Sequence, residues 1–355
     1  MRIGILTFHW ATNYGAVLQC FALQTYLEQL NVEVKVINYK PRKYDETFYD
    51  FVRYRKFFHL SSYIQTLKKE KSLSLFRANN LHQTHRVYSY NEFSSISNEF
   101  DVIIVGSDQV MNPYFLRFGE GKGVTPAYFL AFPFAGNKVA YAVSFGCVEY
   151  PERERSIVAK YIKDFKMISV RESTGIDIVK SMGVENAVLV PDPTLLMDSQ
   201  FYHNLVDLNS KFVNQLYIYS FFIRNISERK EQLNLAMRNE NVVWNNDDGN
   251  YSLHAWLAKI KHAEFVVTDS FHCMVMCLKL HKPFVIITDL EGKVGMNDRF
   301  YTLLGYLKLE SLLLHKKQLF NLTRVRSMKY NWDSIDKLLF DYNQSGIDFL
   351  NMVVS

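Results

Sequence analysis

An anion-binding, proton-transferring group is predicted around Asp269, Ser270 and His272, where a β-branched run passes into an apolar, helix-like segment. Asp269 or Ser270 is expected to cap that helix, so that its first-turn N–H groups and positive dipole end can stabilise an anion. A histidine in the same turn can exchange a proton near neutral pH, as general acid–base catalysis requires. A buried structural histidine bonded to backbone would have the same position, and both interpretations stay open here.

Arg171 is a second candidate for holding an anion, because it follows the β-branched run Met167–Val170 and precedes another helical start. A guanidinium at a strand end can bind phosphate or carboxylate through two parallel hydrogen bonds. The alternative interpretation is a surface ion pair with Glu172 or Asp177.

Two polar segments suit hydroxyl-rich ligands. Asn13-Tyr14-Gly15 is expected in the first strand-to-helix turn, with Gln19 one turn further along the helix, where the group can bind a sugar or a diphosphate. Gly106-Ser107-Asp108-Gln109, followed by Asn112, ends a buried run. Residues of these types also build turns, so a purely structural role is the alternative for both segments.

Several other patterns are interpreted as structural. Cys273, Cys277 and His281 share one face of an apolar helix and lack the turn-borne cysteine pairs of zinc sites, so no metal is predicted. The first turn is not the G-x-G-x-x-G of NAD-binding folds, and Ser144 lacks the G-x-S-x-G of serine hydrolases. The glycine-rich stretch 119–123 neither follows a strand nor opens a helix, and it predicts a flexible surface loop.

Short β-branched runs alternate with helical patterns, which is typical of parallel sheets covered by helices on both faces. We predict an α/β fold with two doubly wound, Rossmann-like domains. The first covers 1–200 with a mostly helical insertion at about 41–99, the second covers 201–330, and a C-terminal helix at 331–355 packs back on the first. Ligands of such open sheets bind at the carboxyl ends of the strands, so the site is expected in the cleft between the domains.

The pattern also gives the bounds of the predicted elements. Strands are expected at 2–8, 32–38, 102–105, 139–143, 167–170, 187–189, 215–222, 242–244, 265–268 and 284–287. Helices are expected at 16–30, 152–164, 174–182, 252–261, 271–280 and 332–353.

Composition restricts the class of protein. The 355 residues, 48% of them hydrophobic, are enough for two ordinary cores, and no apolar run is long enough to predict a membrane span or a secretory segment. Four cysteines without framework spacing predict reduced thiols and a cytoplasmic protein. Much of the net charge of +5 comes from 40–55 and 68–86. The first interpretation of these stretches is a solvated insertion and the second is contact with the inner membrane surface, whereas no motif supports nucleic-acid binding.

Six segments, in this order, resemble the polysaccharide pyruvyl transferase family. They are GILTFHWATNYGAVLQCFAL, FDVIIVGSDQVMNP, AYAVSFG, ISVRESTG, VPDPTLL and VVTDSFHCMVMCLKLHKPFVII. An ordered set that spans most of the chain is far more specific than any single motif described above.

The resemblance implies a GT-B-like two-domain fold and a transferase of surface polysaccharide biosynthesis. The implied reaction uses phosphoenolpyruvate as co-substrate, with no other cofactor, and forms a pyruvate ketal across two sugar hydroxyls. In the family, an arginine matching Arg171 and a histidine matching His272 line the donor site. We therefore expect Arg171 to bind the donor anion, His272 to transfer a proton or contact the phosphate, and the amides around Ser270 and Phe271 to bind the same anion.

This chain departs from the family at one donor position. Some members carry Arg-Leu-His where Ser270-Phe271-His272 stands here, and Arg299 or Lys293 is the candidate to replace the missing charge. The departure leaves open a different donor, and the alternative function is that of a GT-B-type glycosyltransferase with a nucleotide-sugar donor. A non-catalytic scaffold of glycan assembly is the third possibility.

The acceptor is expected to be a sugar, and the basic insertion favours one linked to a lipid diphosphate. Its predicted contacts are Asn13, Tyr14, Gln19, Asp108, Gln109 and Asn112.

Overall fold

The structure of the protein is a computed structural model, and the chain divides into two compact units. Unit 1 comprises Met1–Leu196 and Asn343–Ser355, and unit 2 comprises Met197–Tyr342. The structure describes residues 1–41, 44, 60–116, 126–208, 210, 212–213, 216–236, 244–245, 249–292, 295–316 and 326–355. The predicted loop at 119–123, Lys293 and much of the first basic stretch lie outside the described residues.

Unit 1 is built on a six-stranded sheet whose strands are all parallel. Its strands are β1 Arg2–Leu6, β2 Glu33–Val36, β3 Val102–Val105, β4 Asn137–Val143, β5 Met167–Val170 and β6 Val188–Leu189. Their order across the sheet is β2-β1-β3-β4-β5-β6. Every residue of β3 is buried, as expected of a parallel strand with helices on both faces.

The helices of unit 1 alternate with these strands. They are α1 Tyr14–Gln29, α2 Leu60–Asn80, α3 Phe93–Ile96, α4 Pro113–Leu116, α5 Glu152–Ile162, α6 Ser173–Ser181 and α7 Pro193–Leu196. The described part of the predicted helical insertion contains α2, α3 and the 3-10 turns Tyr90–Glu92 and Ser97–Glu99, and between α2 and these turns Gln83 and Val87 form isolated β-bridges with Val36 and Tyr39.

Alternate residues of β3 pack into different cores, because successive side chains of a strand point to opposite faces. Ile103 and Val105 lie in one hydrophobic cluster, whereas Val102 and Ile104 lie in another. The second cluster also contains Phe349 and Leu350, near the end of the last helix of the chain, Trp332–Val354. The C-terminus therefore completes one face of unit 1.

Unit 2 contains a five-stranded parallel sheet. Its strands are β7 Ile218–Phe221, β8 Trp244–Asn245, β9 Phe265–Thr268, β10 Phe284–Thr288 and β11 Leu313–His315, in the order β11-β10-β9-β7-β8. Its helices are α8 Ser199–Asn204, α9 Ile226–Ala236, α10 Leu253–His262, α11 Phe271–Lys279, α12 Asp298–Tyr306 and the first part of α13 Trp332–Val354.

Both sheets reverse their strand order once, so each unit is doubly wound. The reversal lies between β1 and β3 in unit 1 and between β7 and β9 in unit 2. Crevices for ligands form at the carboxyl ends of the strands at such a reversal. No described helix combines the length and the low polarity that a bilayer-spanning segment needs.

Candidate functional site

In unit 1, a buried polar network joins the loops after β1 and β3. The Gln19 Nε2 donates to Thr7 Oγ1 at 2.9 Å, and the Gln19 Oε1 accepts from the Ser107 amide at 3.1 Å. The Ser107 hydroxyl lies 3.0 Å from Asp192 Oδ2. Because the Gln19 side chain is fully buried and satisfied by the protein, it fixes the two loops. The role of Gln19 as an acceptor contact stays a prediction.

Arg171 also belongs to this network rather than to an open anion pocket. Its Nη1 lies 2.8 Å from Asp192 Oδ2, its Nη2 lies 3.4 Å from Asp108 Oδ1, and its Nε lies 3.5 Å from Glu172 Oε2. Burial opposes its charge, but these three carboxylates raise the pKa of Arg171 above the usual value. Arg171 is thus paired with three carboxylates, and the cluster as a whole carries excess negative charge. The donor-binding role of Arg171 stays a prediction.

The remaining polar residues after β3 are packed against the loop after β4. The Gln109 Oε1 accepts from Asn112 Nδ2 at 2.8 Å, and Asn112 Oδ1 accepts from the Tyr114 amide at 2.9 Å. A Cβ at Gly146, which has a φ of +62°, would lie 2.5 Å from Asn112 Nδ2. Gln109 and Asn112 therefore need a glycine at position 146. Of the three predicted acceptor contacts after β3, Asp108 has the most exposed side chain, at 17%.

Asn13 caps α1, and its role as an acceptor contact stays a prediction. Its Oδ1 accepts from the Gly15 amide at 2.8 Å and from the Ala16 amide at 3.4 Å. An N-cap side chain satisfies amides that have no partner within the helix, and its carbonyl oxygen is then occupied.

Tyr14 lies beside a residue that sequence reasoning missed. The Lys69 Nζ, from α2, lies 4.1 Å from the centre of the Tyr14 ring, a cation–π contact. Burial lowers the pKa of Lys69 to about 8, against an opposing effect of Glu70. Lys69 and Tyr14 are far apart in the sequence and meet only because α2 packs near α1, so the basic sequence of the insertion did not predict this contact.

His9 is buried where β1 ends and is held in its neutral form. Its Nδ1 lies 3.2 Å from the carbonyl oxygen of Thr7. Burial and, to a smaller extent, the charges of Arg77 and Arg86 lower its pKa to about 4, although hydrogen bonds to Thr7 and Asn38 partly oppose the shift.

In unit 2, the predicted anion-binding turn forms where β9 passes into α11. Ser270 is the N-cap, and its Oγ accepts from the Cys273 amide at 3.4 Å. Thr268 Oγ1 accepts from the Ser270 amide at 3.0 Å and fixes the turn. His272 occupies the first turn of the helix, with its ring centre 5.5 Å from that of Phe271.

Asp269 ties this turn to the loop after β7. Its carboxylate accepts from the Ile223 amide at 2.7 Å and from the Arg224 amide at 3.1 Å, and it lies 3.5 Å from Arg229 Nε. Burial raises the pKa of Asp269, although these contacts oppose the rise. Arg229 is held in turn by Asp289 at 2.8 Å. Asp269 and Arg229 therefore fix the loops of the crevice.

Arg224 is a functional candidate that sequence reasoning missed. Its Nη2 donates to Met296 Sδ at 3.0 Å. Within the described residues its guanidinium forms no salt bridge, although Asp269 and Asp289 attract it and partly offset the lowering of its pKa by burial. Arg224 follows β7, at the reversal of strand order, where ligand crevices form. The topology therefore marks it as a candidate, whereas the local sequence does not.

Arg299, the second residue of α12, also lies near the start of α11, and its donor role stays a prediction. Its guanidinium carbon lies 5.6 Å from the Phe271 ring centre and 5.4 Å from that of Phe300. Met296, which contacts Arg224, lies one turn of chain before Arg299. The start of α11 is thus bordered by His272 and two arginines, all from unit 2.

A family model described as polysaccharide pyruvyl transferase matches residues 13–289. The chain belongs to this family. The range that matches the pyruvyl transferase model includes Arg224 and His272, whereas Arg299 lies beyond its end.

Solved structures establish the fold of this pyruvyl transferase family member. A Methanocaldococcus jannaschii UDP-GlcNAc 2-epimerase in complex with UDP-GlcNAc and UDP matches with a TM-score of 0.52 and 12% identity, over 100% of this chain and 99% of that chain. The S. aureus MnaA-UDP co-structure matches with a TM-score of 0.51 and 11% identity, over 97% and 90%. A search of curated proteins found no significant match. The predicted GT-B-like α/β fold with two Rossmann-like domains is confirmed.

Proposed function

We propose that this pyruvyl transferase family member moves a pyruvyl group from phosphoenolpyruvate to a sugar, as a ketal, during surface polysaccharide biosynthesis. The observation that carries the proposal is the cationic wall at the start of α11, made by Arg224, Arg299 and the first helical turn with His272. Phosphoenolpyruvate carries a phosphate and a carboxylate, and two arginines beside a helix N-terminus suit this pair of anions.

The proposed reaction balances without a further reactant. Two sugar oxygens each form a bond to C2 of phosphoenolpyruvate, and the bond from C2 to the bridging phosphate oxygen breaks. One hydroxyl proton ends on the methylene carbon, which becomes a methyl group, and the other leaves with the phosphate.

The residues of unit 2 have distinct proposed roles. Arg224 and Arg299 hold the phosphate and the carboxylate, together with the first-turn amides of Phe271 and His272. The His272 imidazole transfers the proton from a hydroxyl to the methylene carbon, since one ring nitrogen can accept a proton and the other can donate one. Arg224 thereby supplies the charge that family members with Arg-Leu-His carry at the position of Ser270.

The acceptor sugar is proposed to bind to unit 1 after β1 and β3. Asp108 is the most exposed carboxylate of the Arg171 cluster and can accept a hydrogen bond from a sugar hydroxyl. Tyr14 supplies an aromatic side chain, and Lys69 supplies the charge for a diphosphate. A lipid-diphosphate sugar in the cytoplasm remains our proposed acceptor, and neither a cofactor nor a metal is part of the proposed reaction.

Donor binding tests the proposal most directly. We expect phosphoenolpyruvate to raise the melting temperature of the protein, since a ligand that binds only the folded state stabilises it. Arg224→Ala removes a charge-assisted contact and should weaken phosphoenolpyruvate binding about ten- to a hundredfold. Lys230→Ala, which removes a cation from the neighbouring helix α9, is the matched control and should bind normally.

The products decide between the candidate functions. Mass spectrometry of lipid-diphosphate sugars incubated with enzyme and phosphoenolpyruvate should find the pyruvyl adduct, together with released phosphate. Stabilisation by UDP-GlcNAc, with no effect of phosphoenolpyruvate, would instead support the nucleotide-sugar glycosyltransferase.

A further inference from the structure

A cavity of about 520 Å³ in unit 2 lies away from the carboxyl ends of the strands. It is formed by residues that follow α12, residues that precede α13, and the first turns of α13. Tyr330, in its lining, exchanges hydrogen bonds of 2.9 and 3.0 Å with the backbone of Phe284, the first residue of β10. The cavity is therefore near the amino end of the sheet, whereas Arg224 and Ser270 follow the carboxyl ends of β7 and β9.

The rim of this cavity is cationic. Lys308, Lys329 and Lys337 line it, and each is exposed. Among the residues that the structure describes, none of these three lysines forms a salt bridge, and Asp341 is the one acidic residue of the lining. Three unneutralised ammonium groups against one carboxylate give the opening a positive potential, which attracts anions.

The lining is also apolar. Leu307, Leu309 and Leu338 line it together with Met328, whose side chain is 36% exposed. Phe340, within the same stretch of α13, is 68% exposed. A small hydrophilic anion would leave these side chains in water, whereas an amphiphile would cover them.

We propose that this cavity docks the protein onto a membrane by binding the headgroup of an anionic phospholipid. The phosphate meets the three lysines, and the glycerol and first methylenes lie on the leucines, while Met328 and Phe340 enter the lipid interface. The proposal does not depend on the pyruvyl transfer reaction. It places membrane contact on unit 2, whereas membrane contact was the second interpretation of the basic insertion in the sequence.

Vesicle co-sedimentation tests the proposal. The full chain should bind vesicles of phosphatidylcholine mixed with phosphatidylglycerol and should not bind phosphatidylcholine alone. Because each lysine near an anionic surface contributes about fivefold, the triple variant K308E/K329E/K337E should bind about a hundredfold more weakly or worse. Donor-dependent activity on a soluble acceptor should not change, which separates failure of this proposal from failure of the proposed reaction.

Matched variants make the result decisive. K160E/K163E/K166E changes the charge equally on exposed lysines of α5 and the loop that follows, and K68E/K71E reverses two charges on α2. Both should bind vesicles nearly as well as the unaltered protein, and M328Q/F340Q should bind more weakly with no change of charge. An equal loss in all the lysine variants, no binding to anionic vesicles, or full competition by free glycerol phosphate would overturn the proposal.

Discussion

Arg171 and Arg224 both follow parallel strands, but their guanidinium groups have different neighbours. Three carboxylates surround Arg171, whereas the one described hydrogen-bond acceptor of the Arg224 guanidinium is the thioether sulfur of Met296. A buried cation that is paired with carboxylates mainly neutralises their charge, because a buried carboxylate without a cation destabilises the folded state. The surroundings of each arginine therefore favour a stabilising role for Arg171 and support the proposed binding role of Arg224.

Replacing Arg171 with Met should destabilise the protein by about 3–5 kcal/mol, since it leaves Asp192 and its neighbours buried without a cation. The free energy of unfolding from urea titration measures this change. The double variant R171M/D192N should lose less than the sum of the two single variants. Loss of activity in R171M with unchanged stability would instead support the donor-binding role predicted from the family.

His9 predicts a pH dependence of stability. Its pKa falls from 6.5 to about 4 on folding, so below pH 6.5 the unfolded chain takes up a proton that the folded chain refuses. The contribution of His9 is therefore present above pH 6.5 and is lost as the pH falls toward 4. His9→Asn should remove up to about 3 kcal/mol of this dependence, as measured by denaturant titrations across that range. Parallel pH curves for the two proteins would contradict the assignment.

At the scale of elements, the short loops after strands carry most of the side chains that matter, and helix caps hold those loops in place. Ser270 begins α11 and Asn13 begins α1, each by accepting from an amide of the first turn. The polar groups that a ligand would meet are thus positioned by residues whose own side chains are engaged with backbone.

Variants of Asn13 test whether its side chain caps the helix or binds the acceptor. Asn13→Ala should cost about 1 kcal/mol of stability through the lost cap, whereas Asn13→Asp and Asn13→Ser should restore most of it because both residues cap helices well. Thermal unfolding measures the three variants. If Asn13 bound the acceptor through its amide, Asn13→Ser would stay stable but lose affinity for the sugar.

The sequence predicted elements best where burial was complete on both faces. The strands at 102–105, 167–170 and 265–268 begin and end where they were expected, since continuous β-branched runs there leave little choice. Helix α9, with polar residues around its circumference, and the three-residue edge strand β11 were not predicted, because neither has a distinct apolar period.

The candidate site was predicted only in part, for a similar reason. His272 and Ser270 were found because they directly follow a recognisable strand. The partners of Gln19 and Arg171 were not predictable, since Ser107 and Asp192 come from distant parts of the chain. Arg224 was missed because its significance depends on the order of strands in the sheet, which local patterns do not specify.

At the scale of the whole molecule, the two sheets repeat one topology, each with a reversal between the first and third of its strands along the chain. Each sheet therefore has a crevice at the same place in its topology, but the charged side chains at the two crevices differ. The crevice of unit 1 contains the carboxylate cluster around Arg171, and that of unit 2 contains Arg224, Arg299 and His272. This difference in charge supports the proposal that the anionic donor binds to unit 2.

Hydrogen–deuterium exchange with phosphoenolpyruvate alone tests this assignment. We expect slower exchange in peptides that contain Phe222–Asn225 and Asp269–Met274, because bound anion stabilises the loop after β7 and the first turn of α11. Exchange near Arg171 should be unchanged. Protection confined to peptides around Arg171 would move the donor to unit 1.

The discontinuous make-up of unit 1 affects how the protein emerges from the ribosome. Phe349 and Leu350 belong to the same hydrophobic cluster as Ile3 and Ile5, yet they are translated only after the whole of unit 2. Unit 2 is a single continuous stretch and can complete its core earlier, whereas one face of the first sheet stays uncovered until the segment Asn343–Ser355 has been made. During that interval the nascent chain exposes an aliphatic surface that the folded protein covers.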